Sequence, residues 1–594
     1  MRETITPPAS LTLPVAPAEF PSPTIVDSRR LLGPNVYSAR TGAVLEVTYD
    51  DARAKPLIDA WSLQAAQIIH ALRWADAELH VRRGTGGASL FLAAPVDALM
   101  TATEVNEQAW VGAESPSPQR PDRLLVERLR DAADRERLTR PNLAAVHGEA
   151  VRRGLNVTFD DETLSVGSGT GAQSWPLDRV PVVDAVTWDA VHDVPIAVVT
   201  GSNGKTTTVR LVGALWRAAH RVAGWSCSDG VWADDAQLEK GDYSGPAGAR
   251  VVLRDTRVEA AILETARGGI LRRGLAVTRA DAAIITNISP DHFGEYGIDT
   301  VRQLAEAKGA VARVVGGRGR LVLNADDPLL VDLATELIAR RSWFSVLPAH
   351  PELDAHVLAG GDAATVQEGR VMLHLDRVWH DLGAVDAMPI TLRGAAPHNV
   401  QNILGAALLG AAMGVPVETI RYALASFGAS AQDNPGRLQL YRFGGVTVLV
   451  DYAHNPDGVR ALCETAKAIP ARRRLLLLGQ AGNRDDAQIR ELARVAWSVV
   501  PFDLVIIKEM ATLLRGRAAG EVPRLLAGEL ARLGVPPEQV ELAESELAAV
   551  RRACEWAHEG DLLVCPVHVE KAKVLAWLGR LDEWGWRAGA PLPD

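Results

Sequence analysis

A glycine-rich segment contains the residue types that bind phosphate groups. Residues 200–208 have the sequence TGSNGKTTT and lie between two mostly apolar runs, 195–199 and 209–216. This order predicts a buried strand, a tight glycine turn and a helix N-terminus, which attracts anions. Lys205 adds a full positive charge, and a threonine hydroxyl can hold magnesium. The loop is shorter than the commonest Walker A pattern. The glycines could serve only a tight connection, but Gly-Lys-Thr-Thr after a strand favours phosphate binding.

Polar side chains follow the predicted strands of the central region. These strands are expected at 258–263, 282–286 and 320–323. Glu264 closes the first strand, and Asn287 with the pair Asp291-His292 follows the second. Ligands bind parallel sheets at the carboxyl ends of the strands, and magnesium prefers oxygen ligands. Thr206 and Glu264 are therefore candidate magnesium ligands, and His292 could join a second ion. Singly, Glu264 could cap a helix and His292 could be a surface residue; their joint placement favours a site.

Further polar residues lie on the predicted helices and strand ends of this region. Lys308 lies on a predicted helix, where a solvated lysine is the equal alternative to a site residue. Asn324 ends a strand just before a helix cap. Asn399 and Asn402 open a small-residue helix and lie one helical step apart, so they could contact a base edge or cap that helix.

The last third of the chain has strand-end polar residues of its own. A strand at 446–450 is followed by Asp451, His454 and Asn455. Two charged loops also follow predicted strands, and their charged residues include Arg484, Lys508, Glu509, Arg515 and Arg517. Exposed helix caps would explain either loop alone. Because both loops lie on one edge of the predicted sheet, they indicate a site at a domain interface.

The length and composition of the chain indicate the class of protein that contains these residues. The chain has 594 residues, 47% of them apolar and 23% charged, so three folded domains are expected. A net charge of −10 argues against a general nucleic-acid binder. The four cysteines show no C-x-x-C pairing and are expected to be reduced, mostly buried thiols. We predict a cytoplasmic protein without a membrane partner, since no window is apolar enough for a signal peptide or a bilayer span.

The alternation of strands and helices predicts an α/β fold. We expect a central domain with a parallel sheet, a C-terminal Rossmann-like α/β domain and an N-terminal α+β domain. The predicted boundaries are 1–150, a connector at 151–190, 191–430 and 431–594. Residues 1–25 are rich in proline and are expected to be disordered.

Taken together, the ordered motifs of residues 194–594 resemble those of the Mur ligase superfamily of ATP-dependent amide-forming ligases. The motifs are 200–207, Glu264, 287–292, 324–328, 398–402, Arg437 and 451–456. Within the superfamily, the chain is similar to the cyanophycin synthetases, through residues 32–38, 228–230, 239–246, 250–255 and 263–274. That family has an ATP-grasp module before the ligase module. The connector 151–190 is too short for one, so the chain is not expected to elongate a poly-aspartate backbone alone.

The resemblance implies ATP and Mg²⁺ as cofactors and assigns roles to individual residues. The implied catalytic residues are Lys205, Glu264, His292 and Lys308, where Lys308 matches a lysine that is carbamylated in relatives. The implied nucleotide contacts are Gly201, Ser202, Asn203, Gly204, Lys205, Thr206, Thr207, Asn324, Asn399, Asn402, Arg437 and Asp451. The implied metal ligands are Thr206, Glu264 and His292. Candidate substrate contacts are Arg267, His454, Asn455, Arg484, Lys508, Glu509, Arg515 and Arg517.

These roles lead to a functional hypothesis. We expect a ligase that forms an amide or isopeptide bond between an acidic, aspartyl or peptide-like acceptor and an amino acid, through an acyl phosphate, with release of ADP and phosphate. Two alternatives stay open: a ligase for a different small-molecule acceptor, and a catalytically silent binding partner. By analogy with the superfamily, a homo-oligomer is expected.

Overall fold

The computed structural model describes residues 23–75, 77–115, 120–290 and 293–593. The strands are β1 Thr24–Leu31, β2 Gly42–Thr48, β3 Leu79–Gly84, β4 Gly87–Ala93, β5 Val157–Phe159, β6 Thr163–Val166, β7 Gln173–Pro176, β8 Ile196–Thr200, β9 Ala223–Cys227, β10 Gly230–Ala233, β11 Ala236–Lys240, β12 Ala260–Glu264, β13 Ala280–Ile285, β14 Val315–Asn324, β15 Arg341–Ser345, β16 Ala363–Gln367, β17 Arg370–Leu375, β18 Val378–Ala384, β19 Gln439–Phe443, β20 Val446–Asp451, β21 Arg474–Leu478, β22 Leu504–Lys508, β23 Val540–Ala543 and β24 Leu562–Pro566. The α-helices are α1 Ala54–Ala71, α2 Leu99–Glu114, α3 Arg123–Thr139, α4 Leu143–Arg152, α5 Lys205–Ala218, α6 Pro246–Arg254, α7 Arg267–Arg273, α8 Val301–Gly309, α9 Pro328–Ala334, α10 Pro351–Leu358, α11 Pro397–Ala412, α12 Val417–Ser426, α13 Pro456–Ala468, α14 Asp486–Val499, α15 Glu521–Arg532, α16 Glu546–Trp556 and α17 Lys571–Glu583.

The central sheet has the strand order β11-β10-β9-β12-β8-β13-β14-β15-β16-β17-β18. The run from β9 to β16 is parallel, so the carboxyl ends of these strands meet at one edge. Alternate residues of each strand enter opposite cores, as the two-residue side-chain period requires. One core contains α5, α11 and α12, and the other contains α6, α7, α8 and α9. The sheet is therefore covered on both faces, and its strand-end edge is the part left for ligands.

The C-terminal sheet repeats this plan on a smaller scale. Its order is β19-β20-β24-β21-β22-β23, and it is parallel from β20 onward. Helices α13, α14 and α15 cover one face, and α16 and α17 cover the other. The carboxyl end of β20 carries Asp451, so this sheet also presents polar residues at one edge.

The N-terminal sheet, β1-β2-β4-β3, is antiparallel and packs α1 and α2 on one face. Its β1 lies against α7 of the central domain, where Leu32 N donates to Arg273 O at 2.8 Å. Residues 151–190 contain a separate sheet, β5-β6-β7, whose apolar side chains pack against α4.

These observations confirm the predicted α/β class. Beyond β15 the central sheet continues through β16, which pairs in parallel with β15, and through the antiparallel strands β17 and β18. The prediction of disorder for residues 1–25 falls outside the described residues as far as residue 22. Thr24 and Ile25 are not disordered, because they belong to β1. All four cysteines are free and buried, as predicted. Among the described residues, no helix combines the length and apolar character needed to cross a bilayer.

Candidate functional site

The glycine-rich loop joins β8 to α5 at the carboxyl edge of the central sheet. Gly204 precedes α5 with φ of 83°, and Gly201 has φ of 145°. A Cβ atom on Gly201 would lie 1.9 Å from Thr286 Oγ1, and one on Gly204 would lie 2.3 Å from Asn402 Oδ1. Both positions therefore require glycine for conformation and for space. The first backbone bond of α5 runs from Thr208 N to Gly204 O, which leaves the preceding amides without a helical acceptor.

The strand that follows in the sheet holds this loop in place. Asn287 accepts from Ser202 N through its backbone oxygen and from Asn203 N through Oδ1, each at 2.9 Å. Thr286 Oγ1 donates to Asn203 O at 2.6 Å. The loop is therefore preorganised by the end of β13, and its remaining first-turn amides face the strand edge where anions bind helix N-termini.

Thr206, in the first turn of α5, contacts Glu264 at the end of β12. Thr206 Oγ1 donates to Glu264 Oε2 at 2.8 Å and lies 3.1 Å from Ser228 Oγ. Burial raises the pKa of Glu264, although the nearby charges of Lys205 and Arg437 oppose the shift. The described residues contain no group of three or more His, Cys, Asp or Glu side chains suited to a metal. A hydroxyl and one carboxylate fit Mg²⁺, which takes its other ligands from phosphates and water.

The second predicted metal site is described only in part. His292 lies outside the described residues. Lys308 is buried, and its Nζ donates to Gly201 O at 2.7 Å. Lys308 thus contacts the glycine-rich loop directly, whereas the sequence allowed a solvated position equally.

A cavity of about 990 Å³, which we call the interdomain cavity, separates the central and C-terminal sheets. Residues 202–207 and Glu264 line one wall, and Arg437, Asp451 and Tyr452 line the other. Arg437 donates from Nη2 to Ser228 Oγ at 2.7 Å, and its guanidinium lies 4.3 Å from the centre of the Tyr452 ring. Both sheets therefore contribute charged groups to one cavity.

The predicted amide contacts line this cavity while also bracing its walls. Asn324 donates to Thr286 O at 3.2 Å, and Asn399 donates to Ile390 O at 2.9 Å. Asn402 donates to Asn399 Oδ1 at 3.0 Å. These bonds fix the three side chains at the cavity wall. Asn455 from the C-terminal domain donates to Asn203 Oδ1 at 3.0 Å, so it links that domain to the loop.

Four of the eight candidate substrate contacts line one or both of two cavities. Arg484 and Arg515 line the interdomain cavity, and His454 lines both it and a second cavity. Arg267 lines only the second cavity, where it pairs with Glu295 at 2.5 Å. These four residues are therefore placed where a substrate could reach them.

Three further candidate substrate contacts, Lys508, Glu509 and Arg517, line neither cavity and have partners within the protein. The side chains of Lys508 and Glu546 are 0% and 1% exposed and pair at 2.6 Å, and Lys508 Nζ also donates to Pro566 O. Glu509 accepts from the backbone amides of Met510 and Gly520, and Arg517 donates to Gly482 O and Arg484 O. Lys508 is buried, and a buried charge needs internal partners. Glu509 and Arg517 are half-buried and hold neighbouring loops together.

Sequence reasoning missed a group of charges behind the glycine-rich loop. Asp229, just beyond β9, pairs with Lys571 at the start of α17 and lies 3.5 Å from Arg210 Nη2. Burial alone would raise the pKa of Asp229, but the charges of Arg437 and Lys571 outweigh it and hold the pKa below its usual range. The strand-end rule that singled out Glu264 applies equally to Ser228 and Asp229, and could have found both.

Comparison with known proteins agrees with this geometry. Residues 199–410 match the family model for the Mur ligase middle domain, and residues 436–566 match that for the Mur ligase glutamate ligase domain. Cyanophycin synthetase of Synechocystis sp. is 39% identical over 382 residues, covering 64% of this chain and 43% of that protein. The UDP-N-acetylmuramoyl-L-alanyl-D-glutamate–2,6-diaminopimelate ligase of Chlorobaculum tepidum is 27% identical, covering 66% of this chain and 79% of that protein.

Solved structures also match this chain, at low sequence identity. The structure of E. coli FolC in complex with DHPP and ADP matches with a TM-score of 0.47 and 19% identity, covering 65% of this chain and 89% of that one. The chain spans less than half the length of the cyanophycin synthetases that it matches. The two family models together match more than half of the chain, and the chain therefore belongs to the Mur ligase family.

Proposed function

We propose that this protein is an ATP-dependent ligase that joins a carboxylate of an acidic, aspartyl or peptide-like acceptor to the amine of an amino acid. One observation carries the proposal. The glycine-rich loop with Lys205, the Thr206 and Glu264 pair, and Arg437 and Asp451 of the C-terminal domain all border one cavity. An enzyme that only hydrolyses nucleotides would not need charged groups from a second domain at its nucleotide site.

The groups that border the cavity suit phosphoryl transfer. Lys205 and the free amides of the first α5 turn would hold the β- and γ-phosphates of ATP. Thr206 and Glu264 would hold Mg²⁺, which neutralises charge on the phosphate oxygens when bound. Arg437 adds a positive charge, and contacts with Ser228 and Tyr452 fix the orientation of its guanidinium group. Catalysis in this arrangement is positioning and charge neutralisation.

The proposed reaction has two balanced steps. An acceptor carboxylate oxygen attacks the γ-phosphorus, the bond between that phosphorus and the β,γ-bridging oxygen breaks, and ADP leaves. The amine nitrogen then attacks the acyl carbon, phosphate leaves, and the amine proton passes to solvent. Water must be kept from the acyl phosphate, and the enclosure of the cavity between two sheets supports this role.

The proposal is tested by product formation. Purified protein with ATP, Mg²⁺ and a panel of amino acids and aspartyl peptides should release ADP and phosphate with particular pairs only, and mass spectrometry should show the ligated product. Lys205→Ala should reduce this activity by about a hundred-fold or more, as expected for loss of a transition-state charge. Lys240→Ala changes an exposed lysine at the end of β11 and should leave the rate unchanged.

Two results would contradict the ligase assignment. The first is a product whose formation is the same in wild type and Lys205→Ala. The second is failure to bind nucleotide in a calorimetric titration, which would favour the silent binding partner. A ligated product with a non-acidic acceptor would keep the reaction class and replace the acceptor.

A further inference from the structure

A buried ion pair lies behind the wall that the C-terminal domain contributes to the interdomain cavity. Lys508 ends β22, Glu546 begins α16, and their side chains pair at 2.6 Å. We call these two residues the buried pair. Neither of them lines the interdomain cavity, whereas His568, in the turn after β24, does. Because Lys508 Nζ lies 3.2 Å from His568 Nδ1, the buried pair reaches the cavity wall through one imidazole ring.

The buried pair fixes the turn that carries this imidazole. The carboxylate oxygens of Glu546 accept from the backbone amides of residues 568–570 at 2.6 or 2.7 Å. Lys508 Nζ donates to Pro566 O, just before the same turn. Hydrogen bonds to ionised groups are among the stronger ones in proteins. The turn after β24 is therefore held from both ends by buried charged groups.

The contacts of His568 determine its tautomer. Its Nε2 lies 2.9 Å from Ala453 O, and a carbonyl oxygen only accepts, so Nε2 carries the proton. Burial and the charge of Lys508 lower the pKa of His568 to about 4, although Glu546 opposes the shift. The ring is therefore neutral at neutral pH, and its Nδ1 accepts from Lys508. Since both ring nitrogens have partners inside the protein, this histidine lines the cavity without a nitrogen left for a substrate.

The residues at and just after the end of β20, 451–455, are tied to this imidazole at two points, and we call them the β20 loop. The first point is the Ala453 carbonyl, which accepts from His568. The second is the Tyr452 ring, which packs edge-on to the His568 ring with centroids 5.2 Å apart. The position of the β20 loop therefore depends on the orientation of one histidine.

The β20 loop contacts groups that belong to the nucleotide site of the proposed function. The guanidinium of Arg437 lies 4.3 Å from the centre of the Tyr452 ring and donates to Ser228 Oγ. Asn455 donates to Asn203 Oδ1 in the glycine-rich loop at 3.0 Å. A displacement of the β20 loop would therefore move a cation of the site relative to the glycine-rich loop.

We infer that His568, oriented by the buried pair, is a positioning residue that places the β20 loop and, through it, Arg437 at the nucleotide site. The inference rests on the proposed function, because the charge of Arg437 acts there in phosphoryl transfer. His568 touches no reacting atom and acts through its bond to Ala453 O. Displacement of a catalytic group by about 1 Å costs up to ~100-fold in rate, so a residue of this kind affects turnover more than binding.

A matched pair of substitutions tests the bond between His568 and Ala453. Glutamine places an amide nitrogen near the position of Nε2 and still donates to Ala453 O, whereas the shorter asparagine reaches only the position of Nδ1. His568→Asn should lower kcat by about ten-fold or more relative to His568→Gln. Affinity for a non-hydrolysable ATP analogue should be similar in the two variants, because Asn287 still holds the glycine-rich loop.

Hydrogen exchange tests the same bond without turnover. The backbone amides of the β20 loop should exchange faster in His568→Asn than in His568→Gln, because loss of the bond to Ala453 O allows the loop to open locally. The melting temperature of each variant is measured beside these values. His70→Asn changes an exposed histidine of α1 outside both cavities and should match wild type throughout.

The outcomes separate this inference from the proposed function. Equal exchange of the β20 loop in the asparagine and glutamine variants overturns the inference, and so does equal kcat. A fall in melting temperature and kcat that is the same in both variants indicates a merely structural role and also overturns it. Faster exchange in the asparagine variant, with no ligated product from wild type, would keep the role of His568 in placing the β20 loop and remove the proposed ligase function.

Discussion

Burial of Glu264 favours its protonated form, whereas the proposed role as a magnesium ligand needs its ionised form. Its carboxyl is buried at the end of β12, and burial raises its pKa above the usual range. A metal ligand must be ionised, so protons compete with Mg²⁺ at this position. The raised pKa moves this competition to a higher pH than that of an ordinary glutamate.

We predict that Mg²⁺ affinity at the nucleotide site falls with decreasing pH from the region of this raised pKa downward. Glu264→Gln should lower the Mg²⁺ affinity by about ten-fold or more and remove this pH dependence, because an amide does not titrate in this range. Calorimetric titration of Mg²⁺ into the complex with an ATP analogue, at a series of pH values, measures both effects.

The same substitution has the opposite effect on metal-free stability. A carboxyl with a raised folded-state pKa contributes its stability below the unfolded-state pKa, and this contribution is lost as pH rises through the folded pKa. At neutral pH without metal, Glu264→Gln should therefore increase the melting temperature while it abolishes stabilisation by Mg²⁺. A variant that melts lower and still responds to Mg²⁺ would contradict the assigned role.

At the scale of elements, two glycines within helices, Gly528 and Gly248, differ in the space around them. Gly528 lies on the exposed face of α15, and a Cβ atom there would contact nothing within 4 Å. Gly248 lies in α6, where a Cβ atom would come 2.3 Å from Tyr243 O. The first glycine serves no packing purpose, whereas the second lets α6 approach the preceding loop.

We predict opposite effects of alanine at these two positions. Gly528→Ala should stabilise the protein by about 1 kcal/mol, because alanine has the higher helix propensity and contacts nothing there. Gly248→Ala should destabilise it by about 1 to 3 kcal/mol, since a backbone oxygen must move to make room. Chemical denaturation of the two variants beside wild type gives both values. Equal effects at the two sites would contradict the described path of α6.

At the scale of the whole molecule, Asp229 joins the central and C-terminal domains. It is the carboxylate facing Lys571, Arg210 and Arg437, which come from both domains. Removal of one partner from a buried ionic group leaves the other charges without compensation. Asp229 thus adds an ionic contact between the two domains to the hydrogen bonds of Arg437 with Ser228 and of Asn455 with Asn203.

We predict that Asp229→Asn lowers the free energy of unfolding by about 3 kcal/mol or more and separates the unfolding of the C-terminal domain from that of the rest. Because the pKa of Asp229 is lowered, its contribution is present above the unfolded-state pKa and is lost as pH falls through the folded value. Asp235→Asn is the control, since Asp235 is 89% exposed and its bridge to Arg217 should contribute little. A single, unshifted unfolding transition in Asp229→Asn would contradict the role of this contact.

The sequence by itself predicted the glycine turn between β8 and α5, with Thr206 in the first turn of the helix, and it predicted Glu264 at the end of a strand. Local patterns suffice for these, because a buried strand followed by a glycine turn and a helix is a contiguous segment. The carboxyl ends of adjacent parallel strands then meet at one edge whatever the rest of the chain does. The same reasoning singled out Asp451 at the end of β20, whereas the role of Arg437 came only from the resemblance to the Mur ligase superfamily.

Only the tertiary structure decided how distant charged residues are used. Lys508 ends β22 and Arg484 lies in the loop after β21, yet Lys508 is buried in a pair with Glu546 while Arg484 lines the interdomain cavity. Asp229 and Lys571 are 342 residues apart, and β1 of the N-terminal sheet contacts α7 of the central domain. Local periodicity specifies which face of an element is apolar. Burial and partners of charged side chains depend instead on how whole domains pack, and no contiguous segment contains that information.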